Sequence, residues 1–142
     1  MPTLVMAVHP QCPCTRASLA ELALIMARLK GRLRAHVLFL LPGGTDSTWA
    51  EGGMWSTAAA IPGVTPHLDA DGVEASRFGV ETSGHTLLYD RDGALLFSGG
   101  ITPSRGHEGD SVGRSAIVSL VEDGSSPLKV TVVYGCALHE SP

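Results

Sequence analysis

Apolar positions in this chain fall into short unbroken runs separated by stretches of helical spacing. Thr3-Leu4-Val5-Met6-Ala7-Val8 is a buried-strand run closed by His9-Pro10. The next segment is the most strongly periodic. Leu19, Leu22, Ala23, Met26, Leu29 and Leu33 follow a helical period, with the polar character carried mostly by Arg16, Glu21, Arg28 and Lys30. This predicts a helix that starts near Pro13, a residue suited to a first turn, and ends near Gly31. Ala35 to Leu41 is a second buried run, stopped by Pro42-Gly43-Gly44. Asp46 or Ser47 then caps a shorter predicted helix that runs through Trp49, Met54 and Trp55 to Ala60. After Pro62-Gly63 come a strand at 64–68, an Asp-Gly turn at 69–72 and a short segment ending Phe78-Gly79-Val80. Thr86 to Tyr89 and Ala94 to Phe97 flank Asp90-Arg91-Asp92-Gly93, the signature of a hairpin. The loop 98–109 leads to a last helix carrying Val112, Ala116, Ile117, Leu120 and Val121.

Strand, helix, strand, helix, strand, hairpin and helix in that order predict an α/β fold, a mixed central sheet with helices on both faces. We divide the chain into one domain at 1–124 and a C-terminal tail at 125–142, strand-like from Leu128 to Tyr134, that packs back on the domain. Hydrophobic residues at 44% and charged residues at 17% fit an ordinary folded domain. A formal net charge of −4 argues against a nucleic-acid surface. The one basic cluster, Lys30 to Arg34, lies where a helix ends and complements its dipole. No apolar run approaches the roughly 20 residues of a membrane span, so no membrane contact is expected from the residues present. There is no glycine-rich phosphate loop and no Gly-x-Ser-x-Gly elbow.

Chemistry concentrates in three cysteines, too few for a disulfide scaffold. Cys12-Pro13-Cys14 stands where the first helix begins, beside unpaired backbone N–H groups and the positive end of the helix dipole. Both favour thiolate, the form that is nucleophile and metal ligand. Pro13 removes one N–H and fixes the turn. A Cys12–Cys14 disulfide would close a small strained ring, which is easily reduced. Cys136 follows Gly135, which permits a close backbone approach, and the tail is expected to bring it to the same face as a third thiol.

Paired cysteines between a first strand and its helix make the chain resemble the thioredoxin superfamily. The Asp-Gly turn, the helix ending Phe-Gly-Val and the hairpin around Asp-x-Asp-Gly resemble the extracytoplasmic thioredoxin-like reductases. His-Pro-x-Cys-Pro-Cys at 9–14, Thr-Ser-Gly-His-Thr at 82–86, Phe-Ser-Gly-Gly-Ile-Thr at 97–102 and Gly-Cys at 135–136 are similar to small RedB-type members. Two departures stand out. The family's Cys-x-x-Cys becomes Cys-x-Cys, with Gln11 in the place of the first cysteine. His85 occupies the place of the family's cis-proline, and the resemblance puts it facing the cysteines. The resemblance also places the loop carrying Arg105 and His107 beside the groove, with Arg105 a cation able to favour a nearby thiolate. Asp110 in that loop is read as a helix cap.

These residues imply a thiol–disulfide oxidoreductase using Cys12, Cys14 and Cys136, with no cofactor and a protein thiol or disulfide as partner. The alternative is a metal-binding protein holding copper or zinc through Cys12, Cys14, Cys136 and His85. The resemblance further implies an exported or periplasm-facing protein whose leader or anchor lies outside this sequence.

Overall fold

The computed structural model describes residues 1–44, 52–103, 109, 111–126 and 128–138. Five strands form one sheet: β1 (Thr3–Val8), β2 (Arg34–Leu41), β3 (Val64–Ala70), β4 (Thr86–Tyr89) and β5 (Leu95–Gly99). Their spatial order is β3-β2-β1-β4-β5, so the first strand lies at the centre. β1 pairs parallel to β2 and antiparallel to β4, β2 pairs parallel to β3, and β4 pairs antiparallel to β5. The parallel crossovers contain α1 (Pro13–Arg28) and α2 (Gly53–Ala60); α3 (Val73–Arg77) leads towards the hairpin, and α4 (Val112–Glu122) follows it. The expected cap of α2 at Asp46 or Ser47, and Trp49, lie outside the described residues.

The sheet is covered on both faces because β1 is apolar on both. Leu4, Met6 and Val8 point into a core built with Leu19, Leu22 and Ile25 of α1, Ala58 of α2 and Ile117 of α4. Val5 and Ala7 point the other way, towards Ala75, Val80 and Leu138. This two-sided burial explains why the strand reads as an unbroken run rather than as alternation. The hairpin turn closes as its sequence predicts. Asp90 Oδ1 accepts the N–H groups of Asp92 and Ala94, and Gly93 adopts a φ of 88°, a value that glycine tolerates.

Three expectations change. Glu21, read as part of the polar character of α1, is 1% exposed. Its carboxylate accepts the N–H of Gly109 and pairs with Arg114 of α4, which supplies the charge and hydrogen bonds that make its burial tolerable. The N-cap of α4 is Ser111, whose Oγ accepts the Arg114 N–H at 3.0 Å; Asp110 lies outside the described residues. The tail does not form a continuous strand. It makes two isolated bridges, Val130 to Ser98 and Ala137 to Thr82.

Candidate functional site

The end of β1 delivers the chain into a tight turn that starts α1. The Cys12 N–H donates to the His9 carbonyl at 3.1 Å, and the Gln11 N–H donates to His9 Nδ1 at 3.1 Å. That second bond makes Nδ1 an acceptor, so the neutral His9 ring carries its proton on Nε2. Cys12 is the N-cap of α1, with extended backbone (φ −82°, ψ 123°), and Pro13 occupies the first helical position. Cys12 thus stands where Ser, Thr, Asp or Asn would cap a helix, and Cys14 lies in the first turn. Both thiols are nearly excluded from solvent, at 2% and 5% exposure. Cys136 is half-buried, and all three residues are thiols rather than disulfides.

The turn is held from outside by Ser83, a residue the sequence did not single out. Ser83 Oγ accepts the His9 N–H at 2.8 Å and lies 3.2 Å from Thr15 Oγ1. Thr15 Oγ1 donates its own proton to the His9 carbonyl at 2.8 Å. The remaining bond therefore runs from the Ser83 hydroxyl to Thr15, and this small buried network is fully satisfied. Gly84 packs against the same helix. A Cβ there would lie 2.9 Å from Ser18 Oγ, and its φ of 92° suits only glycine. The signal for Ser83 was its position within the 82–86 motif, but a serine hydroxyl carries no spacing rule that predicts its partner.

His85 immediately precedes β4 at the end of the sheet that carries the cysteine turn, and its carbonyl accepts the Ala7 N–H at 3.2 Å. Its imidazole Nε2 lies 2.7 Å from Ser98 Oγ on β5. Burial holds the ring below the ordinary histidine value. Arg105 and His107 lie outside the described residues. Cys136 reaches this end of the sheet through the backbone. Its carbonyl accepts the Ser83 N–H at 2.8 Å, and the Leu138 N–H donates to the Glu81 carbonyl at 2.9 Å. Cys12, Cys14, Ser83, His85 and Cys136 therefore belong to one end of the fold.

Among the described residues, no group of three or more His, Cys, Asp or Glu side chains is arranged to hold a metal ion. Cys12, Cys14, Cys136 and His85 do not form such a group. Two histidines that the sequence left without a role do meet. His36 Nδ1 of β2 lies 2.9 Å from His67 Nε2 of β3, beside a groove of about 660 Å³ that contains no cysteine. That groove also takes in Thr3 and the hairpin turn at Asp90 and Gly93, the opposite end of the sheet from Cys12.

No protein-family model and no curated protein matches the chain. Solved structures do. An uncharacterized conserved protein from Geobacillus kaustophilus superposes with a TM-score of 0.74 at 15% identity, over 99% of this chain and 78% of that one. A secreted Mycobacterium tuberculosis disulfide oxidoreductase homologous to E. coli DsbE gives 0.58 at 18% identity, over 86% and 81%. The exposed lipoprotein thioredoxin of Streptococcus pneumoniae strain TIGR4 gives 0.60 at 15% identity, over 86% and 84%.

Proposed function

For a chain with this thioredoxin-like fold, we propose a thiol–disulfide oxidoreductase that works through Cys12-Pro13-Cys14. The observation that carries the reading is the placement of both sulfur-bearing residues in the cap and first turn of α1, at the end of the central strand. The N-terminal end of a helix favours negative charge, the kind a thiolate carries. The disulfide oxidoreductase and the thioredoxin among the similar structures support the same chemistry, and their secreted and exposed character supports an extracytoplasmic setting. No helix of the described residues is long and apolar enough to cross a membrane.

In the reducing direction, one motif thiolate attacks a sulfur of a substrate disulfide. A mixed disulfide forms, the substrate S–S bond breaks and one substrate thiolate leaves. The second motif thiol or Cys136 then attacks as thiolate. The mixed disulfide breaks, a disulfide forms within the protein and the second substrate thiol is released. An external dithiol returns the protein to its starting state. The partner is a protein thiol or disulfide, and no cofactor enters. The test is reduction of a model disulfide by wild type, Cys12→Ser and Cys14→Ser. We expect both variants to lose turnover, and wild-type rates in both would sink the assignment.

A further inference from the structure

β3 is an edge strand of the sheet, and its His67 meets His36 of the neighbouring β2. The register sets Leu38 opposite His67 and Val5 opposite His36, so both imidazoles rise from one face. His36 is half-buried and His67 is exposed, which leaves the pair open to solutes. The bond between His36 Nδ1 and His67 Nε2 needs one nitrogen as acceptor, so at least one of the two rings is neutral. We propose that these two nitrogens form a site for a divalent transition metal of the zinc, copper(II) or nickel class, which staples the edge strand to β2.

The spacing carries the proposal. Bonds of about 2.0–2.1 Å from two imidazoles to one ion, at ligand angles of about 90–110°, put the nitrogens about 2.9–3.4 Å apart and the ring centroids about 4.5–5.3 Å apart. Here the nitrogens are 2.9 Å apart and the centroids 5.0 Å, so the rings need only reorient in place. The ion takes the position of the shared proton. The donating ring carries its proton on its other nitrogen instead, and both facing nitrogens become ligands. Imidazole nitrogen suits this class of metal, whereas calcium and magnesium prefer oxygen. Glu74 and Asp90 lie on the same groove as Arg91, and Arg34 adds positive charge near His36, so the imidazoles rather than a field of carboxylates hold the cation. Among the described residues no third His, Cys, Asp or Glu completes the set, so water fills the remaining positions on the groove side. The site shares no residue with the cysteine motif, lies at the other end of the sheet and stands independently of the oxidoreductase reading.

The test uses the full chain with its thiols reduced, at about pH 7.5, where an ordinary imidazole is neutral. Zinc chloride is the probe, and carbethoxylation of each histidine is timed by mass spectrometry in wild type, His36→Gln and His67→Gln. We expect zinc to slow modification of both His36 and His67 tenfold or more in wild type. The protection should be reciprocal, with His36 losing it in His67→Gln and His67 losing it in His36→Gln. His67 is exposed, so His67→Gln tests the pair even where the more buried His36→Gln fails to fold. Zinc held only by the cysteines would leave both rings reacting at their metal-free rates, and that overturns the proposal. Protection of one ring that survives loss of the other overturns the two-nitrogen site as well.

Discussion

Ser83 Oγ and the backbone N–H of His9 are joined at 2.8 Å across 74 residues of sequence, and this bond ties the start of the hairpin to the turn that presents Cys12. Replacing Ser83 with alanine leaves a part-buried N–H and the Thr15 hydroxyl short of a partner. We expect a loss of about 1–3 kcal/mol of stability, read by thermal melting, together with faster alkylation of Cys12 as its turn loosens. Unchanged melting and alkylation would show that the network does not position the motif.

Glu21 and Arg114 form the second long-range tie, between α1 and α4. Arg114→Ala strips the guanidinium from a carboxylate that is 1% exposed. A loss of roughly 3–5 kcal/mol is the scale for such a break, and Glu21→Gln, which still accepts the Gly109 N–H, should lose less. A denaturant titration that ranks the two variants in the opposite order would show that the carboxylate tolerates its site without the arginine.

Gly84→Ala introduces a Cβ 2.9 Å from Ser18 Oγ at a φ of 92°. The serine hydroxyl can rotate, but the backbone conformation cannot be relieved, so a loss of about 1–2 kcal/mol is expected. If Ser18→Ala in the same chain fully restores stability, steric contact rather than backbone strain is the cause.

Stability should fall on mild acidification. His36 is held below the ordinary value of 6.5 by burial, then by His67 and Arg34, and His85 is held below it by burial. Well above pH 6.5 these rings are neutral in both folded and unfolded chains and contribute no dependence. As pH drops below 6.5, the unfolded chain takes up protons first, so unfolding is favoured until the folded rings titrate as well. Melting temperatures between pH 7.5 and pH 5 should slope downward in wild type and flatten in a His36→Gln, His85→Gln double variant. Parallel slopes would assign the acid sensitivity to other groups.

Much of this molecule follows from one-dimensional pattern. The runs at β1 and β2 read as buried strands because they are apolar apart from Thr3, Arg34 and His36, and the spacing from Leu19 to Met26 leaves no face for α1 except against the sheet. Cys12 and Cys14 were legible as the cap and first turn of α1 because Pro13 marks a helix start, and the physics of a helix start is local. The partners of Ser83, Glu21, His36 and His67 were not legible. Each bond spans tens of residues, and a hydroxyl, carboxylate or imidazole gives no signal of what it will meet. Glu21 reads as surface because an isolated carboxylate belongs there; only the arrival of α4 with Arg114 makes its burial tolerable. The tail reads as a strand from its β-branched residues. Whether it pairs, and with which edge, depends on where β5 and residues 81–83 expose backbone groups, and that is decided only when the sheet has formed.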